Sequence, residues 1–563
     1  MFALGRQWTR LRRVLPPAVG VVVAVVAGVG MAVTHRDSRM VVPPRVAIAA
    51  ALRDPAMAQA RAGADWNRIT VTAIDGNLEH VSFLAHGQLV AEAAVNRAVD
   101  VLSPTNDRLI RVPYGNWIAY EPALLVALSA LFVLMSGVAP WRRVRNLDVA
   151  AALSLVVAVV LFQHRYLGAS VLSAAPGMVY LLARCALRAF GPAAERAPST
   201  PLLAALTPGV DCARRVRWLR RLLILLAVVF ALVGVGSTDA VDVIYAVMEG
   251  ATRLTHGVLP YGHMPLGVIH GDTYPILTYA LYTPLALLSP VNSTWDSVVP
   301  GLGVAVLAAL VAAWAVFRTA AGARRPAGAL RAPEVEEAGL RAAVAWLAFP
   351  SVLITVSTGT TDVVLAAMLA IAVLVWRRPA LCTGMVTAAG WFKLAPFALL
   401  PVALAPLRGR PLARALAAIA LVSAPMLALL LALGGPHGPA AMLHSISYQF
   451  TRGSEQSVWS ALPIGGLQPL AQGCVLGLIA AAVVKLRLEP ELARDRARMA
   501  GMVAAILIGL QLSADYWAFL YLAWLMPLVG VSLLADRGAA ATEPAAARAA
   551  LGRAATPASS PAG

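Results

Sequence analysis

Long apolar runs dominate the sequence. They extend over roughly 16 to 22 residues each and are separated by short gaps that carry arginines. A run of this length suits a helix that crosses a bilayer, whereas a membrane β-barrel shows short alternating segments. Of the 563 residues, 59% are apolar and 13% are charged, against about 25% charged residues in soluble domains. A soluble globular protein is therefore excluded, and the pattern predicts an all-α polytopic membrane protein.

The net charge of +18 does not indicate a nucleic-acid partner. Most arginines lie in the gaps between apolar runs, where they act as orientation signals that favour the cytoplasmic side. The 46 basic residues comprise 44 Arg and 2 Lys, so each lysine is unusual in this chain. The four cysteines form no CxxC pair and lie in or beside predicted spans, which argues against a disulfide framework and a zinc site.

The N-terminal part predicts an anchor followed by a small folded module. Residues 1–34 carry arginines ahead of an apolar run, which predicts an uncleaved anchor helix with a cytoplasmic N-terminus. Residues 35–118 are mixed-polar, with alternation over 69–74 and the turn residues Asp75, Gly76 and Asn77. Alternation with turn residues between the runs predicts a β-meander, here within a small α+β extracytoplasmic domain.

The remainder of the chain predicts a large membrane domain. Residues 119–218 form a three-span module that ends in a basic cytoplasmic linker over 188–221, residues 219–540 form the main membrane domain, and 541–563 form a disordered cytoplasmic tail. With the anchor, about 14 spans are expected. They lie near 15–34, 120–138, 147–163, 168–187, 221–237, 299–317, 340–356, 361–376, 380–392, 394–407, 412–433, 467–485, 498–513 and 516–535.

Two intervals of the membrane domain are expected on the outer face, namely 238–298 and 434–466. The first contains an apolar patch over 274–288. We interpret the patch as an interfacial helix, because a full span there would place the arginines that follow residue 317 outside. Apolar spacing from Val243 to Leu254 predicts a second, amphipathic helix that lies on the bilayer surface with its apolar face toward the lipid.

The first outer interval carries a recognisable motif. Asp242 and Tyr245 form D-x-x-Y shortly after a span, Gly257 and Tyr261 form G-x-x-x-Y, and the aromatic-proline pairs Tyr274-Pro275 and Tyr282-Thr283-Pro284 follow. This order resembles the first extracytoplasmic loop of GT-C-fold glycosyltransferases, and most closely glycosyltransferase family 87, the polyprenyl-phosphate-sugar-dependent mannosyltransferases. Residues 390–396 (GWFKLAP) resemble the family's Lys-x-x-Pro element, and 448–459 (YQFTRGSEQSVW) its aromatic-basic late loop.

The resemblance implies an inverting transfer of a sugar from a polyprenyl-phosphate donor to a hydroxyl of a glycolipid or cell-envelope glycan, on the extracytoplasmic face. It implies mannose as the sugar, with arabinofuranose as an alternative. The family's catalytic carboxylate corresponds to Asp242, with Asp239 as a second candidate. General-base catalysis by such a carboxylate contributes about 10²–10⁴-fold. No cofactor or metal is expected, since cationic side chains can stabilise a phosphate leaving group; membrane lipids are the other partners.

Eight further residues are predicted to bind substrate. They are Tyr245, Tyr261, His270, Asp272, Lys393, His444, Arg452 and Trp459. Arginine and lysine suit the donor phosphate, and aromatic rings suit sugar faces.

Structural alternatives exist for these positions. Asp242 equally suits a helix N-cap, and Lys393 a snorkelling side chain at the membrane boundary. The late-loop residues fit an ordinary interfacial belt. Asp362, at another outer turn, is predicted to be a helix cap rather than a substrate ligand. His256, His263 and His270 have irregular spacing, which is not typical of a metal site.

Two functions of other classes remain open from the sequence. A transporter or lipid flippase would often show inverted repeats and charges at the membrane midplane, whereas here most acidic residues lie at the outer boundary and no repeat is visible. A structural membrane subunit would use residues 35–118 as its interaction module.

Overall fold

The computed structural model describes residues 42–535, apart from short gaps. The gaps are residues 64, 75–77, 87, 97–98, 100, 106–114, 164–165, 192–198, 238–239, 265–267, 269–270, 293–295, 323–331, 452–455 and 463. The predicted anchor over 1–34 and the predicted tail over 541–563 lie outside the described residues. The described part is mostly helical with a small sheet, as expected for the fold class.

The predicted β-meander is confirmed. Four antiparallel strands follow one another in the order β1-β2-β3-β4, namely Arg68–Ile74, Leu78–Ala85, Gln88–Asn96 and Val101–Thr105. Alternate side chains share one face, so Val81 and Phe83 of β2 lie beside Ala91 and Ala93 of β3 in the apolar core of this module. Two helices, Pro44–Arg53 and Pro55–Arg61, contribute Ala47, Ala51 and Met57 to the same core. The module is thus α+β, as predicted.

Six helical stretches are long and apolar enough to cross a membrane. They are Val144–Gln163, Leu167–Phe190, Cys212–Val235, Val299–Gly322, Gly409–Gln449 and Gly465–Leu488. A bent pair, Ala332–Ala348 and Pro350–Ser357, adds a seventh if it counts as one span. Shorter apolar helices lie at Pro122–Ser136, Asp362–Leu374, Pro379–Phe392, Ala395–Leu404, Leu522–Val529 and Gly530–Leu534, and the Arg496–Ser513 helix packs among them. These elements support a membrane protein.

Proline and glycine explain where several helices break. The chain turns by 57° between Ala348 and Pro350, where the sequence predicted one continuous span over 340–356. Pro350 lacks an amide hydrogen and begins a new helix, as proline at the first helical position usually does. Gly359 follows with φ of +74°, a conformation that glycine adopts at little cost, and the next helix begins at Asp362.

The basic linker is shorter than predicted. The sequence placed it over 188–221, but the helix already begins at Cys212, where Asp211 caps it by accepting from the Arg214 backbone amide at 2.5 Å. The arginines of this segment therefore lie on the first turns of a helix. Two short strands, Val138–Ala139 and Thr200–Pro201, pair beside it.

The interval 238–298 also differs in detail from the prediction. The helix expected over 243–254 spans Asp242–Thr255. The prediction that this helix lies on the bilayer surface is wrong, because the residues from Ile244 to Thr252 are all buried within the protein. The patch over 274–288 forms two short helices, Ile276–Ala280 and Thr283–Ala286, with Tyr279 and Tyr282 fully buried. This interval thus packs into the protein beside the Pro379–Phe392 helix.

Helix packing brings distant parts of the chain to one place. The Asp362–Leu374 helix packs against Val299–Gly322, Pro379–Phe392 and Leu522–Val529. The first residue of the Asp362–Leu374 helix and the residue after the Pro379–Phe392 helix, Lys393, consequently meet.

Candidate active site

The centre of the site is a buried ion pair. Lys393 Nζ donates to Asp362 Oδ1 at 2.6 Å, and the side chains are 10% and 1% exposed. A buried charge is expensive unless it is paired and hydrogen-bonded, and here each side chain is the hydrogen-bonded partner of the other. A pair of this kind inside a membrane protein is by default a candidate functional feature.

Local sequence explains how the two side chains are presented. At the start of its helix, Asp362 is held by Thr360, whose Oγ1 donates to Asp362 Oδ2 at 2.8 Å and accepts from the Asp362 amide at 3.0 Å. Lys393 has extended backbone angles immediately after a helix that ends at Phe392. Pro396 lies three residues later, in the first turn of a 3-10 helix over Ala395–Leu399, where proline is tolerated.

Three aromatic rings surround the lysine. The Nζ atom lies 5.6 Å from the ring centroid of Tyr274, 5.4 Å from that of Tyr521 and 5.3 Å from that of Trp524. The faces of such rings attract a cation. Trp524 also donates from Nε1 to Asp362 Oδ1 at 2.6 Å, so the indole contacts both members of the pair. The site therefore holds a lysine, paired with a carboxylate, in a largely buried and aromatic environment.

A second network orders the loop that carries Tyr261 and Asp272. Asp272 Oδ2 accepts from the Gly262 amide at 2.9 Å and from Ser445 Oγ at 2.8 Å. Tyr261 donates to the Tyr274 carbonyl at 3.1 Å. Burial, and then the charge of Asp272, raise the pKa of Tyr261, so its hydroxyl stays protonated and remains a donor. These contacts fasten the loop to the Gly438–Thr451 helix.

Tyr274 joins the two networks. Its ring lies over Lys393, while its backbone accepts from Tyr261 and its amide donates to Tyr279 Oη at 3.3 Å. Thr278 Oγ1 in turn donates to the carbonyl of Phe392, the residue that precedes Lys393. The predicted residues Tyr261, Asp272 and Lys393 therefore belong to one continuous assembly.

Asp242 lies beside the turn that leads to Asp362. It is the exposed first residue of its helix, and the amide of the preceding residue, Val241, donates to the Thr358 carbonyl at 2.9 Å. The cap position belongs to Val241, so the alternative of Asp242 as the N-cap is not the geometry observed. A carboxylate in the first turn of a helix interacts favourably with the helix dipole. Tyr245, one turn later, is buried with 3% exposure.

The remaining predicted residues fall into two groups. His444 is exposed on the Gly438–Thr451 helix, next to Ser445. Trp459 lies on the short Val458–Ala461 helix and donates from Nε1 to the Leu512 carbonyl at 3.1 Å, and no contact places it against Lys393. Asp239, His270 and Arg452 lie outside the described residues.

The sequence did not identify Asp362, Tyr521 or Trp524 as part of the site. Asp362 was predicted to be a helix cap, but the cap position belongs to Thr361 and Asp362 is the first residue of the helix. Its carboxylate pairs with Lys393 instead. The rarity of lysine in this chain indicated one half of the pair. Nothing in the sequence indicated that Asp362, 31 residues from Lys393, is the other half, or that Trp524, 162 residues from Asp362, contacts the pair.

Comparisons with known proteins add no relative. No protein-family model matches the chain, and no curated protein matches it. Within the described ranges, no group of three or more His, Cys, Asp or Glu side chains is arranged to hold a metal ion.

Proposed function

We propose that the protein is an integral membrane glycosyltransferase. It moves a sugar, mannose in the first instance, from a polyprenyl-phosphate donor to a hydroxyl of a glycolipid or cell-envelope glycan, with inversion at C1. The observation that carries the proposal is the buried Lys393–Asp362 pair. Tyr274 connects this pair to the loop around Asp272, because its ring lies over Lys393 and its carbonyl accepts from Tyr261. Such a site offers a lysine for a phosphate, while an exposed carboxylate, Asp242, lies next to the turn that leads to Asp362.

In the proposed mechanism Asp242 accepts the proton of the acceptor hydroxyl. The acceptor oxygen attacks C1 of the sugar while the bond from C1 to the phosphate oxygen breaks, and the phosphate keeps the bonding electrons. Lys393 stabilises the negative charge that develops there, as a preorganised cation in a dry site does. Asp362 positions Lys393, and Arg452 is proposed as a second phosphate contact.

The topology that this mechanism requires is part of the proposal. The site lies on the extracytoplasmic face, both termini are cytoplasmic, and about 14 spans form a GT-C-like arrangement. The shorter apolar helices, together with the bent pair of helices, supply candidates for the spans beyond the six long stretches. The arginine-rich gaps favour this orientation.

A transfer assay with isolated membranes tests the proposal. Membranes that contain the protein are supplied with radiolabelled polyprenyl-phosphate mannose, or the arabinofuranose donor, and labelled product is measured. We expect Asp242→Asn and Lys393→Met to lower the transfer rate at least 100-fold. Lys485→Met is the matched control, since Lys485 is the only other lysine and forms an exposed pair with Glu489. Equal product from wild type and Asp242→Asn would remove Asp242 from the role of base, and no transfer from either donor would reject these donors as substrates.

Transport is the second candidate, favoured by one specific observation. The bent pair of helices leads directly into the turn that carries Asp362, and broken helices beside charged residues are typical of transporters. Liposomes that contain the purified protein distinguish the two functions. Translocation of a fluorescent polyprenyl-phosphate analogue that Asp362→Asn abolishes, without any transfer product, would favour the flippase.

A further inference from the structure

Three arginines lie near one another, beyond the end of the Asp362–Leu374 helix that is farther from the candidate active site. Arg377 and Arg378 follow the Asp362–Leu374 helix, whose first residue belongs to the Lys393 pair. A helix of 13 residues is about 20 Å long. Arg496 begins the Arg496–Ser513 helix, two residues after Arg494, whose carbonyl accepts from the Arg377 guanidinium. The cluster is therefore about 20 Å or more from the Lys393 pair.

The arginine cluster has no acidic partner in the part of the chain that the structure describes. Neighbouring acids are engaged elsewhere: Glu491 pairs with Arg494, and Asp495 accepts from the backbone amides of Ala497 and Arg498. Each of the three cluster arginines thus lacks a carboxylate among the described residues. Arg377 and Arg378 are exposed and Arg496 is half-buried. Like charges that lie together repel one another, so an anion between them would be bound favourably.

The geometry leaves donors available in this cluster. Arg377 uses Nε and Nη2 on the Arg494 carbonyl, at 2.9 and 2.8 Å. Arg496 is half-buried, and its Nε is shielded from water without an acceptor among the described residues. Arg496 Nη1 lies so close to Gly322 that a Cβ there would come within 2.8 Å of it. The absent side chain at Gly322, the last residue of a membrane-length helix, makes room for this guanidinium.

From these contacts we propose that Arg377, Arg378 and Arg496 bind the phosphate of an anionic phospholipid headgroup. Guanidinium groups suit phosphate oxygens, and basic pockets between the ends of membrane helices commonly take such headgroups. The position argues for a lipid rather than a soluble anion, because three helices of a membrane protein have an end here, namely Val299–Gly322, Asp362–Leu374 and Arg496–Ser513. The leaflet is the one opposite the candidate active site, and the inference does not depend on the proposed transfer activity.

Native mass spectrometry of the full-length protein, released from nanodiscs of mixed phosphatidylglycerol and phosphatidylcholine, tests the site. We expect wild type to retain phosphatidylglycerol selectively. Each Arg→Gln change in the cluster should weaken retention about fivefold, the usual weight of one cation beside an anionic leaflet. Arg496→Lys keeps the charge and should retain most of the binding, which separates loss of the site from loss of the fold. Arg220→Gln is the matched control, since Arg220 pairs with Glu336 at the surface.

Three outcomes would overturn the proposal. The first is equal retention of phosphatidylglycerol by wild type and by the triple Arg→Gln variant. The second is equal retention of phosphatidylcholine and phosphatidylglycerol by wild type. The third is displacement of the bound lipid by millimolar glycerol 3-phosphate, which would identify a free phosphoester as the ligand. Folding of every variant is verified by its elution volume and thermal transition.

Discussion

Replacing Lys393 by methionine should destabilise the protein by an amount that the structure allows us to estimate. The charges of Lys393 and Asp362 are 2.6 Å apart. At an effective dielectric constant of about 20, two unit charges at that distance attract by about 6 kcal/mol, much of which offsets the cost of burying them. Without the lysine, the Asp362 carboxylate keeps Trp524 and Thr360 as donors. We therefore expect a loss of about 3 kcal/mol, at the lower end for a broken buried pair.

A double-mutant cycle separates this interaction from the general effect of each substitution. Asp362→Asn leaves a lysine that still lies over three aromatic rings, so we expect a loss of about 2 kcal/mol. The double variant contains neither of these two buried charges. Its stability should fall by about 2 kcal/mol rather than by the 5 kcal/mol sum, which gives a coupling energy of about 3 kcal/mol.

Thermal unfolding of the purified protein in detergent, followed by intrinsic fluorescence, measures the cycle. Since unfolding entropy scales with chain length, 3 kcal/mol corresponds to about 2 to 3 °C for a chain of 563 residues. Lys485→Met should leave the transition within about 0.5 °C, because an exposed i,i+4 pair contributes little. Additive effects of the two site substitutions would refute the reasoning, since they would mean that the two charges do not stabilise each other.

Three further changes probe other parts of the structure. Gly359→Ala should cost about 2 kcal/mol, because φ is +74° and the new Cβ would lie 2.8 Å from Leu302; Gly303→Ala, with open space around it, is the control, and a thermal transition at the wild-type position for Gly359→Ala would contradict this. Tyr261→Phe should cost about 1 kcal/mol. Because the folded pKa of Tyr261 is raised, its contribution is fully present below the ordinary pKa of about 10 and declines at higher pH, so stability measured from pH 8 to 11 should fall less steeply in the variant. Phe83→Ala should cost about 3 to 5 kcal/mol within the α+β module and speed its proteolysis, and an unchanged cleavage rate would argue against the described core.

Elements with a local signal could be predicted from the sequence. Alternation and turn residues identify the β-meander, and apolar spacing places the helix that begins at Asp242 within one residue at each end. The arginine-to-lysine ratio directs attention to Lys393 without any structural information. These features depend on neighbouring residues, which the sequence displays directly.

The rest of the site depends on packing between segments that are far apart in the chain. Asp362 has the local signature of a helix start, and only the adjacent helix reveals its second role. The bend before Pro350 is equally hard to predict, because proline both begins helices and interrupts spans. Tyr521 and Trp524 belong to a predicted span over 516–535, which the structure divides into several short helical pieces. Their role as ring neighbours of Lys393 follows from the packing of this segment against the Asp362–Leu374 helix.

The order in which the site's parts are synthesised has a consequence for biogenesis. Asp362 and Lys393 are 31 residues apart, on consecutive helices, whereas the indole of Trp524 is 162 residues from Asp362. Inserting either charge without its partner is costly, by up to roughly 2.5 to 3.5 kcal/mol, which is the value at mid-bilayer and falls toward the boundary. The two charges can neutralise each other as soon as that hairpin forms, long before the ribosome reaches the tryptophan. We therefore expect a substitution of only one of the two residues to impair membrane insertion. The yield of inserted protein should then fall whether or not the activity of the inserted molecules changes.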